Sequence, residues 1–267
     1  MDSAIPTALL LGILEGLTEF LPVSSTGHLI LASELLGFTG ESSVTFKIAI
    51  QLGAILAVIM VYWRRFWGVG MGLLQMKPGP VAFTRNIIVG FLPAMVIGVL
   101  VYEAIRVAIQ TPMVVAVALI VGGIIILVLE RRVKHVRVES VETMPLGTAL
   151  GIGFVQCTAM LPGVSRSGAT IMGGLMMGVE RKTAAEFSFF LAVPTMLAAT
   201  VYALWHDRAL LNADDLNLIA IGFAAAFVAA LLVVKAFVAI VGRYGFTPFA
   251  WYRIVVGSTA LIWLLMR

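Results

Sequence analysis

The sequence Glu15-Gly-Leu-Thr-Glu-Phe-Leu-Pro-Val-Ser-Ser-Thr-Gly-His28 decides the fold, because it interrupts an apolar stretch where a membrane helix would otherwise continue. Residues 4–20 are apolar except for Glu15 and Glu19, and a short apolar segment at 28–37 follows the break. Irregular backbone at membrane depth is tolerated only where protein or a wet cavity covers it. We therefore predict a re-entrant hairpin that enters the membrane and returns to the same side.

A second stretch of the chain repeats this design. Residues 146–161 stop at Pro162-Gly-Val-Ser-Arg-Ser-Gly168, and a short segment at 169–178 follows. We predict a second hairpin here.

Further matches indicate two copies of a larger unit. The matched pairs are Leu21-Pro22 with Leu161-Pro162, 46–57 with 187–198, and Gly90-Phe-Leu-Pro93 with Gly245-Phe-Thr-Pro248. We predict repeat one at about 1–130, a charged linker at 131–144 and repeat two at about 145–267.

The composition requires a membrane. Of 267 residues, 61% are hydrophobic and only 12% are charged, whereas soluble domains carry about 25% charged residues. A soluble domain of this size cannot bury so much apolar surface, which excludes a soluble enzyme, a disordered region and a nucleic-acid-binding module. A helix needs about 20 residues to cross the hydrocarbon. The stretches that qualify are 44–63, 86–105, 112–129, 184–205, 216–241 and 247–266.

Parity predicts how the repeats are related. Each repeat has one hairpin and three full spans, and because three is odd, the second repeat must be inverted. Inverted repeats with broken helices place a binding site where the repeats meet. The predicted fold is an all-α polytopic membrane protein with two inverted-topology repeats, each a re-entrant helix hairpin plus three transmembrane helices.

Lysine and arginine predict the orientation. They are concentrated in loop 64–85 and linker 130–145, which the positive-inside rule assigns to the cytoplasm. Both termini then lie outside, the first hairpin enters from outside, and the second enters from inside.

Glu15 and Glu19 are four residues apart and share one helix face. Two carboxylates there are costly and repel each other. A shared proton, a divalent cation or an arginine would compensate them, and hard cations such as Mg²⁺ accept one or two carboxylates plus phosphate oxygens.

Arg166 lies between two serines in the second break, and its planar guanidinium suits phosphate oxygens. Amides at the following helix N-terminus would add anion affinity. The first break also has hydroxyl residues just before its second helical segment. Alternatively, the serines are only helix N-caps, and Arg166 forms an ion pair with Glu19 or Glu15. The hydroxyl residues concerned are Ser24, Ser25, Thr26, Ser165 and Ser167.

His28 is close in sequence to both Ser24 and Ser25. It could transfer a proton or attack phosphorus itself, or it could be a structural hydrogen-bonding residue. We expect Arg253 to snorkel towards the membrane surface. Gln51 and Gln156 are expected to be buried, without an assigned place.

The stretches 15–28 and 161–170 resemble the two signature motifs of the bacterial undecaprenyl-diphosphate phosphatases of the bacitracin-resistance type. The resemblance covers essentially the whole chain, including Glu186-Phe-Ser-Phe189. It implies an inner-membrane enzyme that removes the terminal phosphate from undecaprenyl diphosphate and recycles the lipid carrier for cell-wall synthesis. It also implies bacitracin resistance, dependence on a divalent cation (Mg²⁺ or Ca²⁺), and an active site open to the periplasmic side.

The expected chemistry is in-line phosphoryl transfer with electrostatic clamping of the diphosphate. Arg166 would neutralise charge, Glu15 and Glu19 would hold the metal, and Ser25 would be the nucleophile. His28 or Glu19 would take the serine proton, while a His28 nucleophile or an activated water stays open. The expected substrate-binding residues are Ser24, Thr26, Ser165, Ser167 and Thr170.

Two further expectations concern transport and assembly. Inverted repeats with re-entrant hairpins are also the architecture of secondary transporters, so a transporter or flippase for a phosphorylated lipid or anion is the alternative function. A homodimer could form through a small-residue face such as Gly173-Gly174 with Gly178.

Overall fold

The computed structural model describes residues 4–39, 41–108, 111–132, 136–206 and 213–266. The regular secondary structure of these ranges is helical apart from one parallel bridge between Val138 and Val179. The predicted outward position of the chain ends concerns residues 1–3 and 267, which lie outside the described residues, as does part of the linker, 133–135. The helices of the first half are α1 (Ala4–Thr18), α2 (Ser25–Leu36), α3 (Glu41–Ala49), α4 (Gln51–Val61), α5 (Trp63–Leu74), α6 (Pro78–Leu100), α7 (Tyr102–Ala108) and α8 (Pro112–Arg132). Those of the second half are α9 (Leu146–Cys157), α10 (Arg166–Met176), α11 (Arg181–His206), α12 (Ala213–Tyr244) and α13 (Thr247–Met266).

Six helical segments of the described chain are long and apolar enough to cross a membrane, as predicted. The largest difference from the predicted bounds is in the second span, predicted at 86–105. It begins at Pro78 and ends at Leu100, because a proline at the first helical position starts the helix before the apolar stretch is reached.

The first arms of the two breaks, α1 and α9, are 15 and 12 residues long, too short to cross the hydrocarbon alone. Helix α1 packs closely along α12, and α9 packs closely along α6. A methyl group on Gly12 would collide with the backbone of Gly222, and one on Gly153 would collide with that of Gly90. Small residues at these contacts let the helix backbones approach each other.

The small-residue face suggested for a homodimer is used inside the protein. Gly173 and Gly174 are buried, and a Cβ on each would lie 3.1 Å from Val155 and 3.2 Å from Ala184. The expectation that this face is free for a second copy is therefore wrong, because α9 and α11 cover it.

One of the sequence matches has no structural counterpart. Gly90 and Pro93 lie inside α6, whereas Gly245 ends α12 with a φ of 65° and Pro248 belongs to the start of α13. The shared letters therefore occupy unrelated positions.

Aromatic packing ties the first break to the second half. Phe20 is fully buried, and its ring meets that of Phe189 edge-on at 5.2 Å. Phe189 in turn contacts Phe237 at 5.8 Å. This packing holds the end of the first arm against α11 and α12.

Candidate active site

Each of the two breaks ends at a serine with a positive φ angle. Ser24 and Ser165 precede α2 and α10 with φ angles of 70° and 79°. The Ser24 hydroxyl accepts a hydrogen bond from the amide of Gly27 at 3.2 Å, and the Ser165 hydroxyl accepts one from the amide of Gly168 at 3.0 Å. Both serines are therefore N-caps, the alternative that the sequence left open. A left-handed serine is uncommon, and such strain is typically retained at functional sites.

The next residue of each helix points to one carboxylate. Ser25 is the first residue of α2 and donates a hydrogen bond from its hydroxyl to Oε2 of Glu19. Arg166 is the first residue of α10 and donates from Nη2 to Oε1 of Glu19 at 2.7 Å. A hydroxyl, a carboxylate and a guanidinium from two distant parts of the chain therefore meet at one place.

The Arg166 guanidinium is held from the side of α11. Its Nη1 donates to the carbonyl oxygen of Ser188 at 2.8 Å, and its Nη2 also lies 3.2 Å from the sulfur of Met196. Thr170 donates to the Ser188 hydroxyl at 2.7 Å. Thr170 therefore fixes the support of Arg166, and it does not line the cavity described below.

Ser167 connects the two breaks. Its hydroxyl donates to the carbonyl oxygen of Leu21 at 2.7 Å and lies 3.1 Å from the Ser165 hydroxyl. This residue also lies behind the cavity wall, so the structure gives it a bracing position between the hairpins.

A cavity of about 270 Å³ opens in front of these groups. Its wall is largely apolar, with Phe91, Met95, Val99 and Met160 among its members. The predicted site residues that line it are Glu19, Ser24, Ser25, Thr26, Ser165 and Arg166.

Glu15 lies behind this group and is fully buried. Neither of its carboxylate oxygens has a hydrogen-bond partner among the described residues, and Glu19 and Arg166 are its charged neighbours. A buried carboxylate without partners suits a proton or a cation. The described residues contain no group of three or more His, Cys, Asp or Glu side chains that could hold a metal.

His28 points away from the carboxylate. Its Nδ1 lies 2.8 Å from the carbonyl oxygen of Ser24, and its Nε2 lies 2.9 Å from the hydroxyl of Tyr252, on whose ring it stacks. Because a carbonyl oxygen only accepts, Nδ1 carries the proton, and Nε2 of the neutral ring accepts from the tyrosine. The structure does not bring His28 together with Glu19 and Ser25, and His28 does not line the cavity.

Arg253 has the most consequential position that the sequence reasoning missed. It is 1% exposed, so the expectation that it snorkels is wrong. Its guanidinium donates to five backbone carbonyls, which compensate for burial. These acceptors belong to Pro22 (3.1 Å), Gly163 (2.9 Å), Val164 (2.9 Å), Ala118 (3.1 Å) and Leu119 (3.3 Å). An arginine inside an apolar 20-residue helix was the available signal.

Three further polar residues line the same cavity, and the sequence did not assign them to the site. They are Lys47 on α3, Gln51 at the start of α4 and Gln156 near the end of α9.

Comparison with known proteins places this geometry in one family. The sequence model of the bacitracin resistance protein BacA matches residues 8–259. A protein of Sphingopyxis alaskensis named undecaprenyl-diphosphatase is 72% identical over 260 residues, which are 97% of this chain and 98% of that protein. A protein of Rhizorhabdus wittichii with the same name is 57% identical over the full length of both chains. A protein of Paramagnetospirillum magneticum named undecaprenyl-diphosphatase 2 is 55% identical over 97% of this chain and 99% of its own.

Proposed function

The chain belongs to the bacitracin resistance protein BacA family, and we propose that it hydrolyses undecaprenyl diphosphate to undecaprenyl phosphate and inorganic phosphate. Relatives that carry the name undecaprenyl-diphosphatase match it over essentially its whole length. This multi-pass membrane enzyme recycles the lipid carrier for cell-wall synthesis, and its activity fits the bacitracin resistance in the family name. The observation that carries the proposal is that the Glu19 carboxylate accepts hydrogen bonds from both Ser25 and Arg166 inside a mostly apolar cavity.

Ser25 is the proposed nucleophile. Its hydroxyl oxygen attacks the terminal phosphorus while its proton passes to Glu19, to which it is already hydrogen-bonded. The bond from this phosphorus to the bridging oxygen breaks, and undecaprenyl phosphate leaves with the electron pair. Water then attacks the phosphoserine, the serine oxygen takes the proton back from Glu19, and both water hydrogens leave with inorganic phosphate. Direct attack by a water that Glu19 activates is the competing path.

Arg166 supplies the positive charge for the terminal phosphate. In the structure its Nη2 is shared with Glu19, and its Nε has no partner. The Ser188 carbonyl holds the other nitrogen, so the guanidinium is oriented before substrate arrives. Charge fixed in advance where the transition state develops charge is usually the largest contribution to catalysis.

The other predicted hydroxyl residues that line the cavity belong to the proposed binding surface. Ser24, Thr26 and Ser165 line the cavity at the helix N-termini, where backbone amides favour anions. Ser167 and Thr170 support this surface from behind. His28 helps to position α2 through Tyr252, because both ring nitrogens are already engaged.

A divalent cation, Mg²⁺ or Ca²⁺, is part of the proposal. The unpartnered oxygens of Glu15 and the adjacent Glu19 carboxylate fit a hard cation. Two carboxylates leave the remaining ligands to substrate phosphate oxygens and water. When bound, the cation would neutralise phosphate charge and orient the substrate.

The inverted repeat is supported by reciprocal packing. The first arm of each hairpin packs on a long helix of the other half, α1 on α12 and α9 on α6. The shared serine caps with a positive φ angle are a second correspondence. We propose that both hairpins are re-entrant and meet at their tips, in the interior of the membrane.

Contacts support the proposed orientation. On one side, Arg65 pairs with Glu142 and Arg181 lies 3.7 Å from Glu130, which joins the basic loops that we assign to the cytoplasm. We propose that the site opens to the periplasmic side of the bacterial inner membrane and that both termini are also periplasmic. A homodimer would have to use a face other than that of Gly173 and Gly174.

The test is phosphate release from undecaprenyl diphosphate by purified protein in detergent, with Mg²⁺, Ca²⁺ or chelator. We expect cation-dependent release by the wild type and at least a hundredfold loss in Arg166→Ala, while Arg181→Ala, an exposed arginine outside the site, keeps its activity. A folded wild type that binds the lipid and releases no phosphate would overturn the enzyme assignment and favour a transporter or flippase. Full activity in chelator would remove the cation from the proposal.

A further inference from the structure

The cavity has a second polar region besides Glu19, Ser25 and Arg166. Lys47 on α3 and Gln51 at the start of α4 line the cavity, and Gln156 faces the same space from α9. Among the described lining residues, Lys47 and Arg166 are the two cations.

The burial of this region points to a ligand. Lys47 is only 7% exposed and Gln156 only 2% exposed. Neither the amide nitrogen nor the amide oxygen of Gln156 has a hydrogen-bond partner among the described residues. Buried polar groups are normally satisfied, and leaving one unpaired is costly. A ligand that accepts hydrogen bonds would satisfy both the ammonium group and the amide N–H.

The charge of the substrate indicates which group this ligand is. A diphosphate carries negative charge on both phosphates, and the Arg166 guanidinium is already shared with Glu19. The cation proposed at Glu15 and Glu19 would also lie near Arg166, so the inner phosphate would need a positive group of its own. The attractive neighbour of Lys47 is Glu34 on α2, so an ion pair with Glu34 is the competing explanation for its burial.

We propose, on the basis of the function proposed above, that Lys47 forms a second anion subsite, with Gln156 and Gln51 as hydrogen-bonding neighbours. This subsite binds the inner, lipid-linked phosphate of the substrate, while the terminal phosphate lies at Arg166. After hydrolysis the inner phosphate stays on the lipid. The same subsite therefore holds the product undecaprenyl phosphate, whereas inorganic phosphate is held at the Arg166 end.

The test separates the two phosphates by product inhibition. Lys47→Met removes the charge and keeps a chain of similar length. We expect KM for undecaprenyl diphosphate to rise roughly tenfold or more. We expect kcat to fall as well, because the inner phosphate is the leaving group and gains negative charge in the transition state. The inhibition constant of undecaprenyl phosphate should rise by a similar factor, and that of inorganic phosphate should stay the same.

Two further variants distinguish an anion subsite at Lys47 from an ion pair with Glu34. Lys47→Arg restores the charge and should recover most of the affinity. Glu34→Gln removes the competing carboxylate and should leave KM unchanged or lower it. Equal increases of KM in Glu34→Gln and Lys47→Met would show that Lys47 acts through an ion pair, and an unchanged KM in Lys47→Met would overturn the subsite. A wild type that releases no phosphate would instead defeat the proposed function, and the binding of undecaprenyl phosphate to wild type and Lys47→Met would still decide the subsite.

Discussion

The tips of the two hairpins share a backbone and differ in their chemistry. Ser24 and Ser165 both have a positive φ angle and cap their helices in the same way. The first helical residue is then Ser25 in one hairpin and Arg166 in the other. We therefore propose that the two hairpins are one duplicated scaffold, which presents one side chain from each helix N-terminus. In this proposal the nucleophile lies on one hairpin and the positive charge on the other.

The two tips also differ in whether they carry an acidic residue. Glu19 stands two residues before Leu21-Pro22, and Ala159 stands two residues before Leu161-Pro162. Ala159 also lines the cavity. Because only one tip carries an acid, we propose that the two similar hairpins form one site and not two.

The largest predicted effect is at the first tip. Ser25→Ala removes the proposed nucleophile and should lower kcat about a thousandfold, measured as phosphate release. Ser33→Ala is the matched control, since Ser33 is a buried serine of the same helix whose hydroxyl has no hydrogen-bond partner in the structure. Covalent labelling of Ser25 by the substrate phosphate would support the serine path, and near-normal activity of Ser25→Ala would favour attack by water.

A smaller loss, of both stability and activity, is expected when Arg253, which joins the two tips, is replaced. Arg253→Met leaves five carbonyls without their donor and should lower the free energy of unfolding by about 3 kcal/mol. Activity should fall along with thermal stability in detergent. Arg253→Lys should recover only part of both, because an ammonium group cannot reach carbonyls on three segments. A variant as stable and active as the wild type would show that the tips need no such clamp.

The next largest effect is expected at His28 and tests whether this histidine has a structural or a catalytic role. His28→Gln retains a hydrogen-bonding side chain near Ser24 and Tyr252 and should lower kcat by about tenfold or less, since a catalytic acid or base contributes about 10²–10⁴. The pH profile of kcat should keep its shape. A larger loss together with the disappearance of one limb of that profile would return His28 to the catalytic group.

The smallest effect tests whether the two scaffolds are equivalent. Ser24→Ala and Ser165→Ala each remove one cap and should each lower the free energy of unfolding by about 1 kcal/mol. Glycine at either position should cost less, because it accepts a positive φ without strain. Clearly unequal losses in thermal melts of the two alanine variants would break the correspondence between the tips.

Local features of the sequence predicted the spans and the breaks, because apolar length and Gly/Pro interruptions are written within single segments. The motifs suggested the pairing of Glu19 with Arg166 across 147 positions. The partners of His28 and Arg253 depend on how α13 packs against the hairpins, and no local pattern contains that information.

The central claim is that residues from both hairpins form one catalytic unit. A double-mutant cycle with Glu19→Gln and Arg166→Met, read as kcat/KM for phosphate release, tests it most directly. Groups that act as a unit are strongly non-additive, so the double variant should be about as slow as the slower single variant. Losses that multiply, with the double variant slower by the product of both factors, would show two independent contributions and contradict the composite site.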